Sequence, residues 1–293
     1  MFFELYWQYF VLGLICYVIV RTGLTVLSGL KKKQENAQAK KDDDYQTPDQ
    51  IAETDSESLT NDEDDGLAPA LPRDLAHVSL QFEKIPVDQA VKKSEEFYTL
   101  MNKRRTVRHF STQPVPREII HNIIKTAGTA PSGAHTEPWT FVAVSSPEVK
   151  HQIRQIIEDE EEINYKKRMG KVWTTDLKPL KTNWIKEYLT DAPYLIIVFK
   201  QVYSFKEDGT KKLHYYNEQS VSLACGILLA AVHYAGLVSL TSTPLNCGPA
   251  LRNLLGRPVS EKLTLLLPVG YPAEDCLVPD LRRKPLDDIL VEV

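Results

Sequence analysis

The chain has 293 residues, 43% of them hydrophobic and 25% charged, proportions that fit a globular protein rather than a disordered or fibrous one. A net charge of −4 excludes a general nucleic-acid binder, which needs a strong basic excess. The four cysteines, Cys16, Cys225, Cys247 and Cys276, form no CxxC pair, so neither a zinc site nor a disulfide framework is expected, and no metal site is assigned.

The N-terminus reads as a membrane segment. Leu5 to Val20 carries no charge and one polar residue, Gln8, and as a helix would span roughly 24 Å. The apolar stretch Thr22 to Leu30 can extend it while Arg21 snorkels to the headgroups, and Tyr6, Trp7 and Tyr9 suit an interface. A cleaved signal peptide is the alternative, but no basic residue precedes the run and no small-x-small site follows it. Arg21 and Lys31 to Lys33 on the C-terminal side place the remainder in the cytosol by the positive-inside rule. The expected organisation is therefore an anchor over 1–30, an acidic linker over 31–77 and a folded domain over 78–293. The linker holds the runs Asp42 to Asp44 and Asp62 to Asp65 and too few large apolar residues to offset its ordering entropy.

Within the folded part, Val91, Phe97, Tyr98 and Met101 lie near one face of a helix over Asp88 to Lys103. A second helix opens at Pro116, repeats Ile119, Ile120, Ile123, Ile124 and Ala127 at helical spacing, and closes at Gly128. A loop over Thr129 to Pro138 leads into a strand, Trp139 to Val144, and then a long charged helix, Pro147 to Met169. Tyr194 to Phe199 reads as a buried strand. His214 to Gly236 is the most apolar helix, suited to the core or a subunit contact; Glu218 and His233 argue against a membrane span. Short elements follow: strand Leu237 to Leu240, helix Pro249 to Leu255 and strand Leu263 to Val269. The tail Leu286 to Val293 is β-prone and suited to joining another sheet. The mixture gives an α+β domain.

No Walker loop and no GxGxxG appears. Three constellations can carry chemistry. In Arg104-Arg105-Thr106-Val107-Arg108, extended geometry points Arg104, Thr106 and Arg108 to one side, where forked guanidinium donors suit a phosphate. Ala130 to Trp139 (APSGAHTEPW) offers backbone N–H groups and small side chains to a flat ring. Thr241-Ser242-Thr243 ends a strand with three hydroxyls. Taken singly, each has an ordinary reading as well: a solvated basic patch, a turn and a strand end. Glu161 and Tyr165 share a helix face, and with Lys186 could clasp a zwitterionic amino acid; by spacing alone the ordinary reading, a surface ion pair and a half-buried tyrosine, is the favoured one.

In this order and spacing, KRRTVR, APSGAHTEPW and TSTPLN resemble the flavin site of the nitroreductase superfamily. Together with Glu161 to Tyr165, Asn183 to Lys186 and the anchor, they resemble its iodotyrosine-dehalogenating branch, from about Ser94 to Val293. The resemblance implies a central mixed sheet flanked by helices, in an intertwined homodimer with exchanged tails and FMN at the interface. It implies that Arg104, Arg105, Thr106, Val107, Arg108 and Arg283 bind the phosphate and ribityl end. Pro131 and Ser132 would lie on the ring from the partner subunit. Thr241 would serve catalytically at the flavin N5, favouring one-electron steps, with Ser242 and Thr243 beside it. Ala134, Glu161, Tyr165 and Lys186 would bind the substrate, and Lys166 to Asn183 would form a lid. The implied reaction is reductive removal of iodide from mono- and diiodotyrosine by reduced FMN, with NADPH as ultimate donor through a separate reductase, in a single-pass protein of the plasma or a vesicle membrane. A membrane-tethered FMN-dependent nitro or quinone reductase is the competing reading; it needs the arginines but not the Glu161-Tyr165-Lys186 clasp.

Overall fold

A computed structural model describes residues 71–293 except Arg73, Glu207 and Asp208. The expected anchor and most of the linker lie outside the described residues. Among these, no helix is long and apolar enough to cross a membrane.

The centre is a four-stranded sheet in the order β1 (Trp139–Val144), β2 (Tyr194–Gln201), β6 (Glu261–Gly270), β5 (Val238–Ser239). These neighbours pair antiparallel, and Thr106 adds a parallel bridge to Ser239, which makes the sheet mixed. Both faces are covered, which explains the unbroken apolar run of β2. Leu195, Ile197 and Phe199 face a cluster that includes Ile153, Ile157 and Leu251. Ile196 and Val198 face the other way, toward Ile120, Ile123, Val221 and Leu228. The first layer comes from α3 (Pro147–Ile163), α5 (Tyr188–Asp191) and α7 (Gly248–Leu254), the second from α2 (Arg117–Ala127) and α6 (Asn217–Tyr234). Gly270 ends β6 where Pro193 packs closely on it: a Cβ there would sit 2.4 Å from Pro193 Cδ.

Several elements differ from the reading of the sequence. α1 (Val87–Asn102) forms, but none of its residues is buried, and Val91, Phe97 and Tyr98 are exposed. The helical periodicity is real, but among the described residues the apolar stripe is left open, and His233 of α6 meets the helix only at its end, through the Leu100 carbonyl at 2.9 Å. The long charged helix does not run unbroken to Met169; it is α-helical to Ile163 and continues as one π turn, Asn164–Arg168. A hairpin of β3 (Tyr203–Phe205) and β4 (Lys211–Leu213) was not anticipated, because three-residue strands carry too little alternation. The segment after the π turn holds α4 (Lys171–Leu177), with no buried residue and Trp173 half-exposed. The tail forms a single 3-10 turn, Leu286–Asp288, and Ile289 to Val293 are exposed.

Candidate active site

Arg104 to Arg108 leaves α1 and is laid along the sheet edge: the Val107 N–H donates to the Ser239 carbonyl at 3.2 Å, and Phe110 bridges to Pro272. The expected alternation follows. Val107 turns into the core, whereas Arg104, Thr106 and Arg108 line a cavity of about 1300 Å³. Arg105 lines it too and donates to the Pro279 carbonyl. Arg283 joins from the C-terminal segment, its Nη2 donating to the Arg104 carbonyl at 2.8 Å. With Arg282 and Lys284, six cationic side chains line the cavity and no carboxylate does. Burial, then the Arg283 and Arg105 charges, push the Arg104 guanidinium below its ordinary value. Cations gathered without a counter-ion are stabilised by a bound anion, and forked donors suit a phosphate. This lining fits the phosphate end of FMN.

The second group forms at the end of α3. Glu161 sits in its last turn and Tyr165 in the π turn, on adjoining faces; π turns recur at functional sites because they displace side chains from helical register. Lys186 arrives just before α5 and places Nζ 3.7 Å from Glu161 Oε2 and 5.4 Å from the Tyr165 ring centre. That separation exceeds the 2.7–2.9 Å of a direct charge-assisted hydrogen bond. The Lys186 side chain is 8% exposed and that of Glu161 14%. Burial lowers the Lys186 ammonium below the ordinary lysine value, partly opposed by Glu161. Burial and the nearby Glu161 raise the Tyr165 phenol. The Tyr165 ring also packs edge-on to Trp184, with centres 6.1 Å apart.

The two groups adjoin. Arg108 lines the cavity and also acts electrostatically on Tyr165, Lys186 and Tyr188, while Leu180, from the segment between Tyr165 and Lys186, lines the cavity from the other side. Ser242 is fixed by a two-bond bridge to Leu266, at 2.9 and 2.8 Å, and its hydroxyl shares a hydrogen bond with the buried Tyr188. Thr241 and Thr243 flank it and are exposed.

Pro131, Ser132 and Ala134 do not line this cavity; their loop packs beside Tyr215 and Tyr216, where a Cβ on Gly133 would lie 3.0 Å from the Tyr215 carbonyl. The loop holds Ala134, His135 and Glu137 at positive φ of 48°, 52° and 45°. Three non-glycine residues in that region cost of order 1–3 kcal/mol each, and such strain clusters at functional sites. The Ser132 hydroxyl helps to hold it, accepting from the Glu137 N–H at 2.9 Å.

Spacing gave no role to Asn164, Tyr188 or Asn246. Asn164 is 1% exposed and its side chain touches Glu161, Arg168 and Asn246. An asparagine in a charged helical stretch carries no sign of burial, and Tyr188 reads as one aromatic in a polar run; neither gives a signal that periodicity could catch. Cys225 and Cys247 are poor nucleophiles here: burial pushes the thiol of Cys225 up to about 11 and that of Cys247 up to about 12.

Comparison with known proteins places the chain in a family. The nitroreductase family model matches residues 101–271. The chain is 65% identical to human iodotyrosine deiodinase 1 over 219 residues, covering 75% of this chain and 76% of the relative. It is 54% identical to the mouse iodotyrosine deiodinase 1 over 285 residues, covering 96% of this chain and 97% of the relative. A crystal structure of oxidised iodotyrosine deiodinase bound to FMN and 3-iodo-L-tyrosine superposes with a TM-score of 0.58 at 33% identity, covering 67% of this chain and 97% of that one. A cationic cavity beside a buried glutamate–lysine clasp, on a scaffold shared this widely, leads to one assignment: the chain belongs to the nitroreductase family, and within it to the iodotyrosine deiodinases.

Proposed function

We propose that the chain catalyses reductive dehalogenation of mono- and diiodotyrosine to tyrosine and iodide with reduced FMN. The observation that carries this reading is the buried Glu161–Lys186 pair at 3.7 Å beside Tyr165, next to a cavity lined by arginines. A zwitterionic amino acid is the mirror of that pair: its ammonium meets Glu161, and its carboxylate meets Lys186 and the Tyr165 hydroxyl. A nitro or quinone reductase would have no use for this clasp.

FMN supplies the two electrons that, with one proton, replace the carbon–iodine bond by carbon–hydrogen and release iodide. The protein's part is placement. Arg104, Arg105, Thr106, Arg108 and Arg283 hold the phosphate and ribityl end, with Val107 anchoring their strand in the core. Thr241, with Ser242 and Thr243, would offer hydroxyls to the flavin ring. Pro131 and Ser132 would lie on the ring from the partner subunit, and the Ala134 N–H would receive the substrate phenolate oxygen, which the electron-withdrawing iodine helps to ionise. Lys166 to Asn183 folds over the bound amino acid and excludes water; proteolytic cleavage in this stretch should slow when iodotyrosine is added, and an unchanged rate would remove the lid.

Pairing of two subunits is supported by apolar surface that one subunit leaves open. α1 buries nothing, α6 exposes Leu223 at 53% and Tyr234 at 78%, and the tail is exposed from Leu286. The homodimer covers these surfaces and completes the flavin site. NADPH, acting through a separate reductase, is the ultimate electron donor. Residues 1–30 anchor the chain in the plasma or a vesicle membrane, 31–77 link, and 78–293 form a cytosolic catalytic domain; protease protection of that domain in sealed cells would agree, and digestion from outside would reverse the orientation. The reaction itself is tested by anaerobic titration of dithionite-reduced protein with diiodotyrosine. Stoichiometric iodide release is expected, and reoxidation by nitroaromatics without iodide release from diiodotyrosine would favour the general reductase.

A further inference from the structure

The side chain of Asn164 is the most enclosed polar group beside the Glu161–Lys186 clasp, at 1% exposure. All three of its amide contacts lead to parts of the site. Its Nδ2 donates to Glu161 Oε1 at 3.3 Å, and its Oδ1 accepts from Arg168 Nη1 at 3.0 Å and from Asn246 Nδ2 at 3.4 Å. Its backbone carbonyl accepts from the Met169 N–H at 2.8 Å, the i to i+5 bond that closes the π turn. Arg168 lies near the start of the segment read as a lid and also pairs with Glu160 at 2.7 Å. Asn246 belongs to the loop that carries Thr241 to Thr243 and sits at φ 62°, a conformation asparagine tolerates better than most residues.

We propose that Asn164 is a positioning residue for substrate recognition: it fixes one oxygen of Glu161 so that the other faces the substrate ammonium, and it ties that carboxylate to the lid root and to the flavin-side loop. The proposal rests on the reading of Glu161 as the ammonium acceptor. The chemistry requires an amide. One edge must donate to a carboxylate while the other accepts from a guanidinium and a second amide, and this set of partners fixes which edge is which. A leucine of similar size would leave Glu161 without its donor, and an aspartate would confront it with a second negative charge. The division within Glu161 follows: Oε1 is held by Asn164, and Oε2 faces Lys186 at 3.7 Å.

The test compares 3-iodotyrosine with its des-amino analogue, 3-iodo-4-hydroxyphenylpropionate, by equilibrium titration of oxidised, FMN-loaded full-length protein. Asn164→Ala and the isosteric Asn164→Asp should each reduce the preference for iodotyrosine over the analogue by at least about tenfold, the loss expected for a mispositioned charge-assisted contact. In turnover, KM for iodotyrosine should rise far more than kcat falls, a split that general loosening of the fold would not produce. Adding Asn164→Asp to Glu161→Gln should cost little more than Glu161→Gln alone, since Asn164 acts through that carboxylate. If Asn164→Ala fails to fold, the shape-conserving Asn164→Asp carries the test. Variants that keep the preference within about twofold, while Glu161→Gln abolishes it, overturn the role of Asn164 alone. A preference that survives Glu161→Gln as well overturns the ammonium reading together with it.

Discussion

Two arginine groups in this protein meet opposite fates. Arg257 is matched: its Nε and Nη2 reach the two oxygens of Glu261 at 2.8 and 2.7 Å, and Thr140 donates to the same carboxylate at 2.7 Å. Arg104, Arg105, Arg108 and Arg283 line one cavity with no carboxylate among them. The first group ties the start of β6 to β1 and needs nothing from outside. The second is part-buried and self-repelling, and burial first and the Arg283 and Arg105 charges after it depress Arg104; a bound anion relieves both. The Glu161–Lys186 clasp lies between these cases: it is matched in charge but too far apart for a direct hydrogen bond, so each partner can still take a ligand group. A counter-ion within reach marks structure, and its absence or its distance marks a site.

The comparison can be broken by experiment. The largest effect is expected from Arg104→Ala combined with Arg283→Ala. Losing two charge-assisted contacts, at roughly 1.5–3 kcal/mol each, should weaken FMN binding by about a hundredfold to ten-thousandfold. Fluorescence titration of the apoprotein measures this, and a dissociation constant within about threefold of the wild type would mean that the cavity does not hold the phosphate. Next comes Glu161→Gln, which should raise KM for iodotyrosine roughly tenfold to a hundredfold at unchanged FMN affinity. An unaltered KM would return the pair to structure alone.

The smallest effect belongs to the matched group. Glu261→Gln should destabilise by about 2 kcal/mol without touching FMN affinity, read as a shift in the urea midpoint. Its pH dependence has a definite sign. Burial alone would raise the Glu261 carboxyl, but the Arg257 and Thr140 hydrogen bonds together outweigh it and hold it below the ordinary glutamate value of 4.5. The unfolded chain therefore takes up the proton first as pH falls. The carboxylate's contribution is complete above the ordinary value and is lost as pH drops through the depressed one, so wild type and variant should converge in acid. A gap that widens in acid would contradict the assignment.

Where contacts are local, the sequence was readable. Trp139–Val144 has the bounds expected of it, and Tyr194–Gln201 runs two residues further than its apolar core, because both of its faces are covered and pairing to β6 continues past Phe199. The alternation of Arg104, Thr106 and Arg108 also carried over, since an extended segment fixes side-chain direction by itself. What needed distant partners stayed hidden. The π turn has the same charged composition as the helix before it, and its tie through Asn164 to Asn246 spans 82 positions. Tyr188 and Ser242 meet only when α5 and the end of β5 are brought together. The face of α1 was legible as a stripe, but a stripe does not say which surface covers it. Likewise, Pro131, Ser132 and Ala134 stand apart from the cavity of their own subunit, and no spacing rule announces that separation.

The single wide turn at Asn164–Arg168 has a consequence for how such a site can arise or be lost. A π turn is an α-helix with one residue too many, accommodated locally instead of spread along the axis. Deleting one residue there would let the helix heal, and everything beyond it would rotate by about 100°. Tyr165 would stay on the face of Glu161, but the segment after the turn, which lines the cavity through Leu180, would leave in another direction, while the sheet and its two covered faces stayed as they are. Gain or loss of one codon could thus switch amino-acid recognition on this scaffold while sparing the rest of the molecule.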